Sequence, residues 1–154
     1  LEWALATDSP GRINDLRLGE SILLGREPLH RTAIPGLFTD AMTLVAEVIE
    51  TKSKPAQPWG SVGQAAFDDQ PDRIGSGMVT QSLVAVGHQD VDPTGLTPDT
   101  GTTILGASSD HLVVARRPDS ISVGDELRFE VNYSALMRVM TSPFVERTYG
   151  ESAA

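Results

Sequence analysis

No cysteine occurs in this chain. A disulfide framework, thiolate chemistry and a cysteine zinc site are therefore excluded, and a reducing, cytoplasmic setting is expected. Basic residues are scarce, with 12 Lys and Arg against 21 Asp and Glu, a net charge of −9. Such a chain lacks the basic footprint of a nucleic-acid partner, and an anionic membrane surface would repel it. The apolar runs fall far short of the ~20 residues of a membrane span, and no charged start leads into an apolar stretch, as a signal peptide requires. Internal repeats are missing too. So is an initiator Met: the chain starts at Leu1, and LEWALATDSPGRIND has the character of an element's end, so a fragment of a longer protein is expected.

What remains is the composition of an ordinary globular domain, 40% hydrophobic and 21% charged over 154 residues. A last helical turn is predicted at 1–6, stopped by Asp8-Ser9-Pro10-Gly11. The run at 16–25, LRLGESILLG, is strand-like around Gly19-Glu20; a Gly–polar turn leading into a short helix there could offer backbone N–H groups to an anion, although a structural glycine explains it as well. Residues 26–40 are a loop. The clearest strand is 41–54, with Met42, Leu44, Ala46 and Val48 on one face; its length predicts a bend or bulge. A loop or edge strand at 60–69 and an exposed turn region at 70–77 precede a strand over 78–86. Residues 90–101 form a long connection, 102–115 a strand pair around a polar turn at 106–111, and 127–131 an alternating strand. Helical spacing at Leu136, Val139 and Met140 predicts a helix over 133–140 with Ser134 as its cap. A final strand is predicted at 144–149. Many strands and frequent turns define an all-β barrel or sandwich.

The stretch LVAVGHQDVD, residues 83–92, is the centre of interest. Leu83 to Val86 are continuously apolar, as in a strand covered on both faces. Gly87 ends it, and His88, Gln89, Asp90 and Asp92 follow at once. A rigid strand that delivers an imidazole, an amide and two carboxylates to its mouth can build a site; a solvated turn is the simpler reading. The run 90–95 begins like a calcium loop, but Gly101 stands where the closing Glu belongs. His88 and His111 with Asp90 and Asp110 lack the ligand spacing of a zinc site, so no metal is expected.

Taken together and in order, LRLGESILLG at 16–25, LVAEVIETK at 44–52, VGHQDVDPTGLTP at 86–98, ILGASSDH at 104–111, VGDELRF at 123–129 and NYSALMRVMTSPFVERTY at 132–149 resemble the C-terminal part of the pyridoxal-phosphate-dependent alanine racemase superfamily. The likeness is greatest to the branch with ornithine racemases and runs from residue 16 to 149. It implies an N-terminal (β/α)₈ barrel that carries the cofactor lysine, followed by a C-terminal β-barrel domain with one short helix. Residues 1–39 would be the end of that barrel and a linker, 40–149 the β-domain, and 150–154 a loose tail. Lys52 and Lys54 are the only lysines, and neither matches the cofactor lysine, so this chain alone is expected to be inactive.

The resemblance further implies roles for named residues. Arg17 matches the arginine set against the pyridine nitrogen of pyridoxal 5'-phosphate; a guanidinium keeps its proton, so that nitrogen stays unprotonated. Gly19 and Glu20 match the pair whose backbone N–H groups meet the cofactor phosphate. Thr141 or Ser142 lies near a phosphate-contacting tyrosine position, though the tyrosine is absent here. His88 falls where alanine racemases carry their second catalytic base, a tyrosine. Racemisation needs proton-transfer groups on both faces of Cα, and an imidazole exchanges protons near neutral pH; His88 could instead contact substrate. Ser108, Ser109 and the local backbone N–H groups would hold the substrate carboxylate, Asp90, Asp92 or Asp110 a distal amine, and Gln89 would be a further substrate-binding residue. As turn-forming residues they could equally be caps. The implied partner is a second copy in a homodimer, whose active site this domain completes. The alternative is a non-catalytic β-barrel that binds a ligand or protein.

Overall fold

The computed structural model describes residues 11, 12, 15, 17–57, 59, 60, 75–116 and 121–150. The expected helical turn at 1–6 lies outside them, as does all but Gly60 of the segment 60–69. The chain divides into two compact units, residues 1–41 and 42–154.

In the first unit a short helix, α1 (Glu20–Leu24), ends on Gly25 in the left-handed conformation, φ 63°. Only glycine suits this position twice over: the φ strains other residues, and an added Cβ would overlap the Phe38 carbonyl. Arg17 and Leu18 stand in no strand and 20–24 are helical, so the described part of the strand-like run is a helix with an irregular lead-in. After it the Glu27 carboxylate organises the next turn. It accepts hydrogen bonds from the N–H of Leu29 (2.7 Å), His30 (2.5 Å) and Thr32 (3.2 Å) and from the Thr32 hydroxyl (2.9 Å). Desolvation raises its pKa, but these donors outweigh that and lower it to about 2.

The second unit is a nearly closed six-stranded antiparallel barrel. Its strands are β1 (Thr43–Pro55), β2 (Met78–Val84), β3 (Leu96–Pro98), β4 (Thr102–Ala107), β5 (Leu112–Arg116) and β6 (Glu126–Val131), followed by helix α2 (Tyr133–Thr141). They lie in the order β3-β6-β1-β2-β5-β4. The two outermost strands, β3 and β4, are consecutive in the chain and joined by a three-residue turn, which brings the sheet's edges round to one another. β1 is long enough to pair with β6 through its first half and β2 through its second, and its register shifts between Val48 and Glu50. That is the bulge its length predicted; it bends one strand across two parts of the barrel wall.

The alternation read from β1 is observed: Leu44, Ala46 and Val48 are buried and their neighbours are not. They join Val84, Val91, Leu112, Val114, Leu127 and Phe129 in one core. α2 closes it by burying Ala135 and Leu136. Gly95 makes this possible, because a Cβ there would overlap the Asn132 side chain and lie 2.9 Å from the Ala135 Cβ.

Four expectations change. The connection over 90–101 contains a 3₁₀ turn (Pro93–Gly95) and β3, because Leu96 has a buried place beside Val131. The strand over 78–86 stops at Val84; Ala85 is exposed, so the run 83–86 is not covered on both faces. The cap of α2 is Asn132, whose Oδ1 accepts from the Ala135 N–H at 2.9 Å, since the Ser134 hydroxyl is bonded elsewhere. Residues 144–149 form no strand, and Phe144 and Tyr149 are exposed; the barrel edges are already occupied by β3 and β4.

Candidate functional site

β2 ends one residue before the chain leaves the barrel wall, and the polar segment 87–92 crosses the barrel's end. Beside it lies the turn between β4 and β5. The His88 N–H donates to the Ser108 carbonyl (3.0 Å) and the Gln89 N–H to the Ser109 carbonyl (3.0 Å). Two segments twenty residues apart are thereby joined by backbone hydrogen bonds outside any strand. Gly87 allows the approach: a Cβ on it would lie 2.5 Å from both His111 N and Ser109 O. The β4–β5 turn supports itself, since Ser108 N–H donates to the His111 carbonyl (2.8 Å) and His111 N–H to the Ser108 hydroxyl (3.0 Å).

The side chains differ in availability. His88 is half-buried, while Gln89, Ser108, Ser109 and Asp110 are exposed. The Ser109 hydroxyl donates to Asp110 Oδ2 at 2.5 Å. Asp90 is buried, 6% exposed, and its Oδ1 accepts from the Ser142 hydroxyl at 2.6 Å. Asp92 accepts from Thr94 N–H (3.1 Å), the Thr94 hydroxyl (2.7 Å) and the Ser134 hydroxyl (2.5 Å). The Thr141 hydroxyl donates to carbonyls of its own helix, Met137 and Arg138. The structure thus brings His88 and Gln89 together with Ser108, Ser109 and Asp110, and joins Asp90 to Ser142. Arg17, Gly19 and Glu20 belong to the first unit: Arg17 is exposed, the Gly19 carbonyl accepts from the Ile22 and Leu23 N–H groups (both 3.1 Å), and Glu20 is ion-paired with Arg31.

Sequence patterns missed Arg138, whose Nη1 donates to the His88 carbonyl at 3.3 Å. No local signal announces a bond across fifty residues. Among the described residues no group of three or more His, Asp or Glu could hold a metal, and no helix is long and apolar enough to cross a membrane.

The Ser134 and Thr94 hydroxyls lower the Asp92 pKa, opposed by desolvation and assisted by the Thr94 N–H and the nearby Arg138 charge. A carboxylate with a depressed folded pKa contributes stability above its unfolded pKa, ~3.9, that is lost as pH falls through the folded value. Thermal unfolding should therefore show Asp92→Asn below wild type at pH 7, with the gap closing below about pH 4. A constant gap at both pH values would contradict this role for the charge.

This end of the β-barrel groups an imidazole, an amide, two hydroxyls and a carboxylate on two hydrogen-bonded turns. Similarity to known proteins is more particular. The chain is 42% identical over 145 residues to a lysine racemase from Thermotoga maritima, covering 93% of this chain and 41% of that protein. It is 40% identical over 141 residues to an ornithine racemase from Acetoanaerobium sticklandii, covering 90% of this chain and 40% of that one. The resemblance of residues 16–149 to the alanine racemase superfamily is borne out by both. The chain spans about two fifths of the length of these curated relatives. No family model matches it, and neither does any solved structure.

Proposed function

We propose that this chain is the C-terminal β-domain portion of a pyridoxal-phosphate-dependent racemase of basic amino acids, and that it completes the active site of a partner copy in a homodimer. The observation that carries the reading is the pairing of the His88–Gln89 segment with the Ser108–Asp110 turn, which brings an imidazole and an amide to the same barrel end as two hydroxyls and a carboxylate. Pyridoxal 5'-phosphate, when bound, makes the Cα proton of an amino acid acidic enough to transfer. His88 delivers or removes that proton on one face. Gln89 orients the substrate carboxylate, and the Ser108 and Ser109 hydroxyls would join it on turning away from the His111 carbonyl and Asp110, to which they donate.

The chain's own groups fit part of the cofactor's needs. The first turn of α1, at Gly19 and Glu20, offers N–H groups with no partner inside the helix, and Arg31 balances the Glu20 charge beside them. Arg17 would face the pyridine nitrogen. Thr141 and Ser142 fit less well, because both hydroxyls are already donated within the domain. Lys52 and Lys54 are turned to Glu50, at 2.8 and 3.8 Å; the cofactor lysine would come from a region outside this chain, and the stretch alone would be inactive.

Among the three aspartates, Asp110 is the one suited to a distal ammonium group. Asp90 is buried against Ser142, and Asp92 already accepts three hydrogen bonds. In the full-length protein, chiral chromatography should show interconversion of D- and L-lysine and ornithine. Asp110→Asn should raise KM for these substrates about 10- to 100-fold, the worth of a charged hydrogen bond, while leaving alanine's unchanged. Absence of interconversion of any of the three by cofactor-loaded protein would sink the racemase reading. Sedimentation of the full-length protein as a monomer would sink the shared site.

A further inference from the structure

The loop that carries His88 is tied to α2 at three points. Ser134 donates to Asp92 at 2.5 Å, Arg138 to the His88 carbonyl at 3.3 Å, and Ser142 to Asp90 at 2.6 Å. Residues 134, 138 and 142 recur at intervals of four and so lie along one side of the helix. The groups they meet belong to alternate residues, 88, 90 and 92. Only one of these contacts reaches a charge removed from water. The Asp90 carboxylate is 6% exposed, whereas Gln89 beside it is exposed. A buried carboxylate is tolerated when it is hydrogen-bonded, and the bond from Ser142 locates it. Ser142 is itself fixed: its N–H donates to the Arg138 carbonyl (2.9 Å), and its hydroxyl oxygen accepts from the Phe144 N–H (3.1 Å).

We propose that Asp90 and Ser142 are positioning residues, which hold the His88–Gln89 turn against α2 from inside the domain and touch neither substrate nor cofactor. The β4–β5 turn restrains the loop on one side through the His88 and Gln89 N–H groups. The Asp90–Ser142 bond restrains it on the other, two residues further along. With both in place the imidazole keeps one location relative to Ser108–Asp110. The catalytic part of this inference rests on the racemase reading; the restraint itself does not.

The test uses full-length protein carrying Ser142→Ala, Ser142→Thr, Asp90→Asn and the double change Asp90→Asn/Ser142→Ala. Ser142→Ala removes the bond from the less buried partner and guards against an Asp90 variant that does not fold. Ser142→Ala should lower kcat for lysine racemisation about 10- to 100-fold, with KM within about twofold, as expected when a proton-transfer group is displaced by a fraction of an ångström to an ångström. Ser142→Thr, which keeps the hydroxyl, should restore most of the rate. The double variant should be no slower than the slower single one, since both remove one bond. Amide exchange at His88 and Gln89 should quicken about tenfold in Ser142→Ala and not in Ser142→Thr. A raised KM in Asp90→Asn with a silent Ser142→Ala would make Asp90 a substrate contact and overturn the proposal. Unchanged exchange in both single variants would overturn it as well. Should wild type racemise nothing, the racemase reading fails alone, because the exchange experiment still decides whether the restraint exists.

Discussion

On the proposed function, replacing His88 by Gln in the full-length protein should lower kcat about 10²- to 10⁴-fold, the usual contribution of a positioned acid–base group. Its isotopic signature is more specific than the loss of rate. Each face of Cα needs its own proton-transfer group, and in the proposed function His88 serves one. In D₂O the variant should still exchange the Cα proton of one enantiomer through the group on the opposite face, while exchange of the other enantiomer and net racemisation collapse together. Equal residual exchange of both enantiomers would remove His88 from the proton path and leave it a substrate contact. The His88 N–H and carbonyl bonds, to Ser108 and Arg138, do not depend on its side chain and remain available in the variant.

Gly87→Ala should cost the second large effect. The new Cβ would lie 2.5 Å from His111 N and Ser109 O and 2.6 Å from Asp110 C. All three obstacles are backbone atoms, so no side chain can swing aside, and the two turns must part. Overpacking of this kind costs about 1–3 kcal/mol, and a rigid obstacle places the change at the upper end. Parting the turns stretches the bonds from His88 N–H to Ser108 and from Gln89 N–H to Ser109, so activity should fall with stability. Gly124→Ala is the control. At Gly124 nothing lies within 4 Å of an added Cβ, but φ is +92°. It should lower the melting temperature through backbone strain alone and leave racemisation unaltered at permissive temperature. A Gly87→Ala protein with wild-type melting and activity would show that the two turns are not held together as described.

Hydrophobic period, turn residues and motif order made much of this protein legible beforehand. The alternation Leu44, Ala46, Val48 placed one face of β1 in the core because a strand's side chains alternate with a period of two. Thirteen residues of strand required a bend, and the register shift after Val48 supplies it. The pattern Leu136, Val139, Met140 announced α2 through its 3.6-residue period. These features depend on neighbours in sequence, which is why they survive the removal of everything else. β3 escaped notice for the opposite reason. Three residues are too few to show a period, and Leu96-Thr97-Pro98 is a strand because Val131, Glu130 and Phe129 stand opposite.

The candidate site divides in the same way. The residue types at 88–90 and 108–110 carry their chemistry wherever they are, so imidazole, amide, hydroxyl and carboxylate could be named from the sequence. Which carboxylate faces solvent could not. Asp90 and Asp110 are alike as letters, yet one is buried beneath Ser142 and the other is exposed beside Ser109. The sequence by itself determined the strand-rich class, the acidic surface and the likeness to amino-acid racemases, since composition, period and motif order are properties of the chain. Only the tertiary structure decided that residues 88–92 are held between the β4–β5 turn and α2. That arrangement depends on hydrogen bonds between segments twenty to fifty residues apart, and on the close approach that the absence of a side chain at Gly87 permits.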